Sequence, residues 1–445
     1  MPVDTDRLLP PTAVTTLDDH LEAGGGRGLA RARELGTEAI CDELAAAGLR
    51  GRGGAGFPTA RKWRGVAATA REGGGTVTLV ANAAEGEPGT YKDRPLIAHN
   101  PFRLVEGVLI AAQVVGASRS YIGTKAKFTH EVQRLISARD EAIAAGWPGA
   151  ERLGIVTGPD DYLFGEEKAL LETVEGKEPM PRILPPFQVG LFATMASPNP
   201  TVVNNVETLS HAARIVGEGP EPFRANGTEA SPGTMVFTVV GDVERPGFYE
   251  LPLGVTLREL VVDIAGATDP KAILSGTSNP VGTPEHLDVP LCFDALRHAG
   301  FGLGSGGFVI YGQHRDMVQV TERLGAFLAA ESCGQCMACK LGTGAMAERL
   351  ERLVSGGGTQ DDLHEIIKRT EYVSDQSRCF LPMGAALTVR SMVDTFPDDF
   401  AARAAGQASD PDVAVPIPKI TGIDETTGEV IWDPTTRESP KAEPT

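Results

Sequence analysis

The sequence predicts an α/β chain of three folded units, and three observations support this. Short apolar strands and amphipathic helices alternate between about residues 37 and 145, the pattern of a parallel sheet covered by helices. A β-branched hairpin followed by a helical stretch begins near Pro232, as in a β-grasp module. Four amphipathic stretches between residues 321 and 405 then carry four of the six cysteines. A length of 445 residues suits roughly three domains of ~100–200 residues each, and 41% apolar content is enough for real cores.

Residues 1–35 are expected to form an irregular lead-in with a glycine patch at 24–28. In the first unit, residues 36–231, Thr37–Ala47 reads as a helix. Ile40, Leu44 and Ala47 recur at helical spacing there, and Gly48 suits a C-cap. A glycine loop follows at 51–56, then a buried strand at 76–81 that ends in Asn82. A helix opens at Asn100 or Pro101 and runs to about Val115. A strand at 120–122 and an amphipathic helix at 129–145 complete the alternation. The second unit, 232–320, has strands at 235–240 and 248–251 around a turn at 241–247. Thr256 caps a helix to about Ala265, and a glycine run at 302–307 leads into a strand at 307–311. The third, 321–405, is helical at 323–331, 345–354, 359–370 and 382–396, with the cysteines at the ends of these helices, in the connecting loops. Residues 406–445, rich in Pro, Thr and charge, are expected to be an extended tail.

A net charge of −18 argues against nucleic-acid binding, which needs a basic face. No run of about 18 apolar residues is available to span a membrane. The first residues lack a basic segment followed by an apolar one. The expected location is cytoplasmic, or peripheral to a membrane assembly.

The cysteines carry the most chemistry. Cys333, Cys336 and Cys339 stand at C-x-x-C-x-x-C spacing, and Cys379 follows in Ser377-Arg-Cys-Phe-Leu-Pro382. Three thiolates at that spacing with a distant fourth match a [4Fe–4S] cluster. Zinc is the alternative, but structural zinc sites usually use two C-x-x-C pairs, and the third cysteine of the run has no place in one. Cys41 and Cys292, alone among apolar residues, read as core.

Four further segments are suited to a nucleotide or flavin. Gly51-Arg52-Gly53-Gly54-Ala55-Gly56-Phe57 is a glycine turn followed by Lys62, whose backbone N–H groups and cations suit a phosphate. It does not follow a strand in G-x-G-x-x-G form. Asn82, Glu85 and Glu87 lie at the end of a strand, where ligands of α/β sheets bind, although a solvated turn explains them too. Tyr162-Leu-Phe-Gly165-Glu166-Glu167 and the Asn204-Asn205 pair are explained about as well by helix capping.

Taken in order, these segments resemble the family of NADH-oxidising flavoprotein subunits of respiratory complex I, which also serves NAD-dependent hydrogenases and formate dehydrogenases. The resemblance covers roughly residues 35–405. It implies a Rossmann-like FMN domain, a β-grasp (SLBB) domain and a four-helix iron–sulfur domain. It also implies FMN against Gly51, Arg52, Gly53, Gly54, Lys62, Asn82, Gly165, Glu166, Glu167, Asn204 and Asn205, with NADH near Phe57, Glu87 and Phe187. It assigns the four cysteines to one [4Fe–4S] cluster. No side chain is then needed as an acid or base, because the cofactor carries the hydride chemistry. The implied partner is a ferredoxin or an iron–sulfur protein of the same assembly. The chain departs from the family pattern at Gly65, where an aromatic ring is usual, and at Ala84, where a carboxylate is usual. Leu184 replaces a basic residue, and Phe164 replaces a cysteine. An FMN and cluster relay that does not use NADH is the second reading, and a zinc-stapled binding protein the third.

Overall fold

The computed structural model describes residues 8–73, 75–376, 378–409, 419–424 and 430–433. The lead-in differs from expectation, because it holds two helices, α1 (Leu17–Glu22) and α2 (Arg27–Leu35). Its glycines serve tight turns and close packing. Gly26 starts α2 at φ 75°, and a Cβ on Gly28 would stand 2.4 Å from the Ala213 carbonyl oxygen. Helix α3 (Thr37–Ala47) ends at Gly48 in the left-handed conformation, as its C-cap signal predicts. After the glycine loop comes a helix that the sequence reading did not include, α4 (Thr59–Gly73), which buries Trp63 and Val66.

A four-stranded parallel sheet follows, made of β1 (Thr78–Ala83), β2 (Arg119–Lys125), β3 (Leu153–Gly158) and β4 (Thr201–Asn205). Helices α5 (Asp93–His99) and α6 (Pro101–Val115) connect β1 to β2. Helix α7 (Thr129–Ala144) leads to β3, α8 (Glu167–Val174) precedes β4, and α9 (Val206–Glu218) and α10 (Pro220–Arg224) close the unit. The strand order is β3-β2-β1-β4, so the chain leaves β1 toward β2 and later returns to its opposite side as β4. That reversal makes a crevice at the carboxyl ends of β1 and β4, where open α/β sheets bind ligands. Leu79, Val80 and Ala81 are fully buried, as a central strand covered on both faces requires. Strand β1 runs two residues past its expected end, so Asn82 lies within it and pairs in register with Asn205.

In the second unit β5 (Thr234–Gly241) and β6 (Gly247–Pro252) form the hairpin. Strand β8 (Gly307–Gly312) pairs parallel to β5, and β7 (Pro270–Leu274) antiparallel to β8. The helical stretch after the hairpin winds with i→i−5 bonding over Glu259–Ile264, for which nothing in the sequence gives a reason. A short helix, α11 (Phe293–His298), follows. The third unit holds α12 (Met317–Glu331), α13 (Met337–Val354), α14 (Gln360–Tyr372) and α15 (Leu381–Thr395) around Leu328, Leu350, Ile366 and Val389. A fifth helix, α16 (Pro397–Ala404), starts where Pro397 breaks α15. Thr388 on α15 donates to the Thr277 carbonyl at 2.9 Å, which ties the bundle to the β-grasp unit. Within the expected extended tail, β9 (Lys419–Ile423) and β10 (Val430–Asp433) pair antiparallel. Residues 410–418, 425–429 and 434–445 of that tail lie outside the described residues.

Among the described residues no helix is long and apolar enough to cross a membrane.

Candidate functional site

A cavity of about 1210 Å³ occupies the crevice at the carboxyl ends of β1 and β4. That exceeds the ~300–1,000 Å³ usual for one small ligand. The glycine loop between α3 and α4 forms one wall. A Cβ on Gly53 would press on Asn205 at 3.0 Å, so only glycine lets the loop lie against the end of β4. Gly54, at φ 121°, faces Gly304 of the β-grasp unit, and a Cβ there would find nothing nearer than 4.0 Å. This bare backbone wall is a cradle that a planar ring can approach closely.

Gly51, Gly53, Gly54, Ala55, Gly56, Phe57 and Lys62 all line the cavity. Lys62 donates to the Val203 carbonyl at 2.9 Å and lies 3.4 Å from Glu167. Trp63 beneath it donates to Asn204 Oδ1 at 2.8 Å and locks α4 to β4. Asn82 donates to the Gly165 carbonyl at 2.8 Å, and a Cβ on Gly165 would meet the Ala84 carbonyl oxygen at 2.8 Å. Glu166 and Glu167 line the cavity at the start of α8, where Glu166 caps two backbone N–H groups. Burial pushes the Glu166 carboxyl up to about 7 despite Lys168 beside it. Tyr162 donates to Glu87 at 2.7 Å, and the other Glu87 oxygen accepts from the Thr277 backbone and hydroxyl. Phe57 and Phe187 line the cavity and stand half-exposed.

Arg52 does not face the cavity. Its guanidinium is buried beneath the loop and donates to the carbonyls of Arg50, Pro232 and Thr234, between the rings of Phe223 and Phe293. It joins the loop to the β-grasp unit, so it braces the site from beneath the loop. The sequence reading also omitted Lys92 and Asp93, which line the cavity, and Ser275, Asn279, Gly304 and Ser305, which come from the second unit. Lys92-Asp93 follows five residues after Glu87 in the same stretch of chain. The second-unit residues have no local signal, since only the docking of two units brings them there.

Lys92, Asp93 and Glu207 form a buried ion cluster, with Lys92 Nζ at 2.7 Å from Asp93 and 2.9 Å from Glu207. Asn205 joins it by accepting from Lys92 at 3.0 Å and donating to Asp93 at 2.7 Å. Glu85 borders this cluster. One of its oxygens accepts the backbone N–H groups of Lys92 and Asp93, and the other is buried with no partner among the described residues. Burial first, and Asp93 second, push the Glu85 carboxyl up to about 8. An acid raised in this way weakens the fold as pH climbs, because the unfolded chain releases its proton near the ordinary carboxylate value and the folded one releases it only near 8. Glu85→Gln is therefore expected to raise the melting temperature at pH 8 and leave it nearly unchanged at pH 4. Equal shifts at both values would contradict this.

The four cysteines surround a second, small cavity with Leu163, Ser332, Gly334, Arg378, Leu381 and Pro382. Cys336 is the N-cap of α13 and Cys339 sits in its first turn, at a helix end as expected but inside a helix that begins before its expected start at 345, while Cys333 and Cys379 lie in loops. Among the described residues no three His, Cys, Asp or Glu side chains are close enough to share one metal ion. Four thiols placed around a void suit a cube with one iron at each thiol better than a single zinc at ~2.3 Å from every sulfur. Cys379, Leu163 and Leu381 line both cavities, so the two sites share a wall.

The departures from the family pattern also have defined places. Gly65 lines the main cavity with nothing within 4 Å of its Cβ direction. Ala84 and Phe164 pack together beneath it with Val80 and Leu170, an apolar patch in place of a polar one. Leu184 is half-exposed.

A glycine-walled cavity at the switch point, beside a four-cysteine pocket, defines a flavin and iron–sulfur electron-transfer protein. Family models match in the same places. The Nuo51 FMN-binding domain matches residues 44–214, the SLBB domain 236–278, and the NADH-ubiquinone oxidoreductase-F iron–sulfur binding region 319–403. The chain is 38% identical over 406 residues to the F 2 subunit of the NADH-quinone oxidoreductase of Rhizobium meliloti, covering 86% of this chain and 94% of that one. Against the F subunit of the same enzyme from Streptomyces coelicolor it is 37% identical over 400 residues, covering 86% and 87%. A crystal structure of an NAD+-reducing [NiFe]-hydrogenase superposes with a TM-score of 0.77 at 35% identity, over 90% of this chain and 68% of that one. The chain belongs to the family of NADH-quinone oxidoreductase F subunits. It is an oxidoreductase of the NADH dehydrogenase type, with an FMN-binding domain and a 4Fe–4S region.

Proposed function

We propose that this chain is the electron-input subunit of a larger assembly. It takes NADH into the main cavity and delivers electrons through the cysteine pocket to an iron–sulfur protein such as a ferredoxin. The observation that carries this reading is the wall shared by the two cavities at Cys379, Leu163 and Leu381. FMN held in the cavity supplies the conversion of a two-electron hydride donor to one-electron steps, which the cluster passes on.

The chain's own residues bind, orient and exclude water. The glycine loop admits a flat ring against backbone N–H groups, and Lys62 offers a cation at the same wall. Asn82, Asn204 and Asn205 fix the strand ends below it. Tyr162 and Thr277 hold Glu87 in one orientation, which presents a carboxylate to a ribose hydroxyl. The four thiols hold the cluster. Met337 and Leu341 are exposed large side chains on the first turns of α13, the helix that carries Cys339, and they form the face through which electrons leave. The expected location is cytoplasmic or peripheral to a membrane assembly.

Anaerobic titration of iron-reconstituted protein with NADH tests the reading. Flavin absorbance near 450 nm is expected to bleach, with a reduced-cluster EPR signal appearing in step. Flavin that dithionite bleaches and NADH does not would refute it and leave a relay with another donor. Replacing Met337 and Leu341 together by glutamate is expected to slow reduction of an added ferredoxin by about tenfold or more without altering flavin bleaching. Unchanged ferredoxin reduction would remove that face from the path.

A further inference from the structure

The wall of the cysteine pocket carries a fixed cation. Arg378 lines that pocket and not the flavin cavity, although its neighbour Cys379 lines both. Its guanidinium is half-buried and anchored, donating to the Pro181 carbonyl at 3.2 Å. Among the described residues no carboxylate stands within ion-pair distance of it. Asp375, the acid of the same lining, is exposed, where water screens it. Two charged groups act on the sulfurs from other sides. Glu166 faces Cys379 from the flavin cavity, and Lys340, beside Cys339, is exposed and donates to the Ala329 and Ser332 carbonyls at 3.1 Å.

A cube held by four thiolates becomes more negative when it takes an electron. A fixed cation at its wall therefore stabilises the reduced form over the oxidised one and raises the potential. The chain as a whole, at net charge −18, works in the opposite direction. Half-burial keeps water and salt from fully screening the guanidinium, and arginine stays charged across the working pH range. Hydrogen bonds to sulfur act in the same sense as the cation. The Ser332 hydroxyl lies 3.2 Å from Cys339 Sγ in the buried part of the pocket. A ligating thiolate has no proton, so there the hydroxyl donates.

We propose that Arg378 poises the cluster, raising its midpoint potential so that electrons are drawn across the wall shared with the flavin cavity, with Ser332 adding a smaller push in the same direction. Arg378 ligates nothing and acts through its charge alone. The inference rests on reading the four cysteines as the cluster ligands. The competing role for Arg378 is a brace between the cysteine loop and the Pro181 segment. A brace changes how much cluster is held, whereas a charge changes the potential of the cluster that is held.

The test is an EPR-monitored redox titration of the iron-reconstituted protein with dithionite and mediators, which needs neither NADH nor a protein acceptor. In Arg378→Gln the oxidised-to-reduced ratio at a fixed potential is expected to rise about tenfold, a fall of about 59 mV in a one-electron midpoint. Arg378→Met, a second neutral variant, carries the same expectation should glutamine prevent loading. Arg378→Lys keeps the charge and is expected to stay within about threefold of wild type. Ser332→Ala is expected to shift the midpoint the same way by less. The flavin midpoint, followed by absorbance in the same titration, is expected to move less than that of the cluster. Reduced cluster content with an unchanged midpoint would overturn the proposal in favour of the brace. Equal shifts in the lysine and neutral variants, or equal shifts of flavin and cluster, would also overturn it. A wild-type protein without a cubane signal refutes the ligand reading beneath the proposal, whereas a wild-type signal whose midpoint ignores position 378 refutes the proposal alone.

Discussion

Cys379→Ser is expected to abolish the reduced-cluster EPR signal while flavin bleaching by NADH persists. The prediction follows from where the four thiols stand. Cys333, Cys336 and Cys339 belong to one short segment at the start of α13, whereas Cys379 reaches the same pocket from the loop before α15. A cube held by the first three alone has an open corner at the wall facing the flavin cavity, because Cys379 lines both spaces. Burial pushes the Cys379 thiol up to about 12 where no metal holds it. The thiolate is therefore disfavoured until iron binds, and cluster assembly must displace its proton. Loading is expected to weaken as pH falls, because protons compete with iron for all four sulfurs. The fold should survive the substitution, since Cys379 is only half-buried at the edge of the bundle core. Loss of flavin together with the cluster would mean that Cys379 shapes the flavin wall as well, and an intact EPR signal would remove it from the ligand set.

Much of this architecture was legible in the sequence. Helix α3 and the helix α6 (Pro101–Val115) have the bounds their apolar spacing and caps predict, because Gly48 and Gly116 end them in the left-handed conformation that glycine favours. The cysteine pocket was legible because its ligands are chemically distinctive and three lie in one run. Three kinds of feature were not legible. Helix α4 follows directly from a glycine turn, and of its buried residues, Thr59, Ala60, Trp63 and Val66, only two are large and apolar. Helices α1 and α2 were obscured by glycines that looked like a loop and in fact permit close helix contacts. At the site, Arg52 looked like a phosphate ligand because it sits in a glycine loop, but its side chain turns into the junction with the β-grasp unit, where it donates to three carbonyls. The direction of one side chain depends on tertiary packing that a local motif does not encode.

The largest loss of stability is expected from Lys92→Met. Lys92 is buried to 1% exposure, as are its partners Asp93 at 6% and Glu207 at 0%. Burial alone pushes the Glu207 carboxyl up. Lys92, then His211 and Arg52, overcome that and hold it at about 2. Removing the ammonium leaves two buried carboxylates without their cation, which costs about 3–5 kcal/mol. At about 2–4 °C per kcal/mol, the melting temperature should fall by roughly 6–20 °C. The sign of the pH dependence follows from Glu207. Its folded value lies below the unfolded one near 4.5, so its stabilisation is fully present above 4.5 and fades as pH drops toward 2. In Lys92→Met that stabilisation is absent, and the buried carboxyl titrates above its ordinary value. The gap between wild type and variant should therefore be widest at neutral pH and narrow as pH falls through 5, which melting curves at pH 7.5, 6 and 4.5 would show. A gap below about 1 kcal/mol, within the range of a surface ion pair, or one independent of pH, would mean that Asn205 and the backbone, rather than Lys92, hold these carboxylates in place.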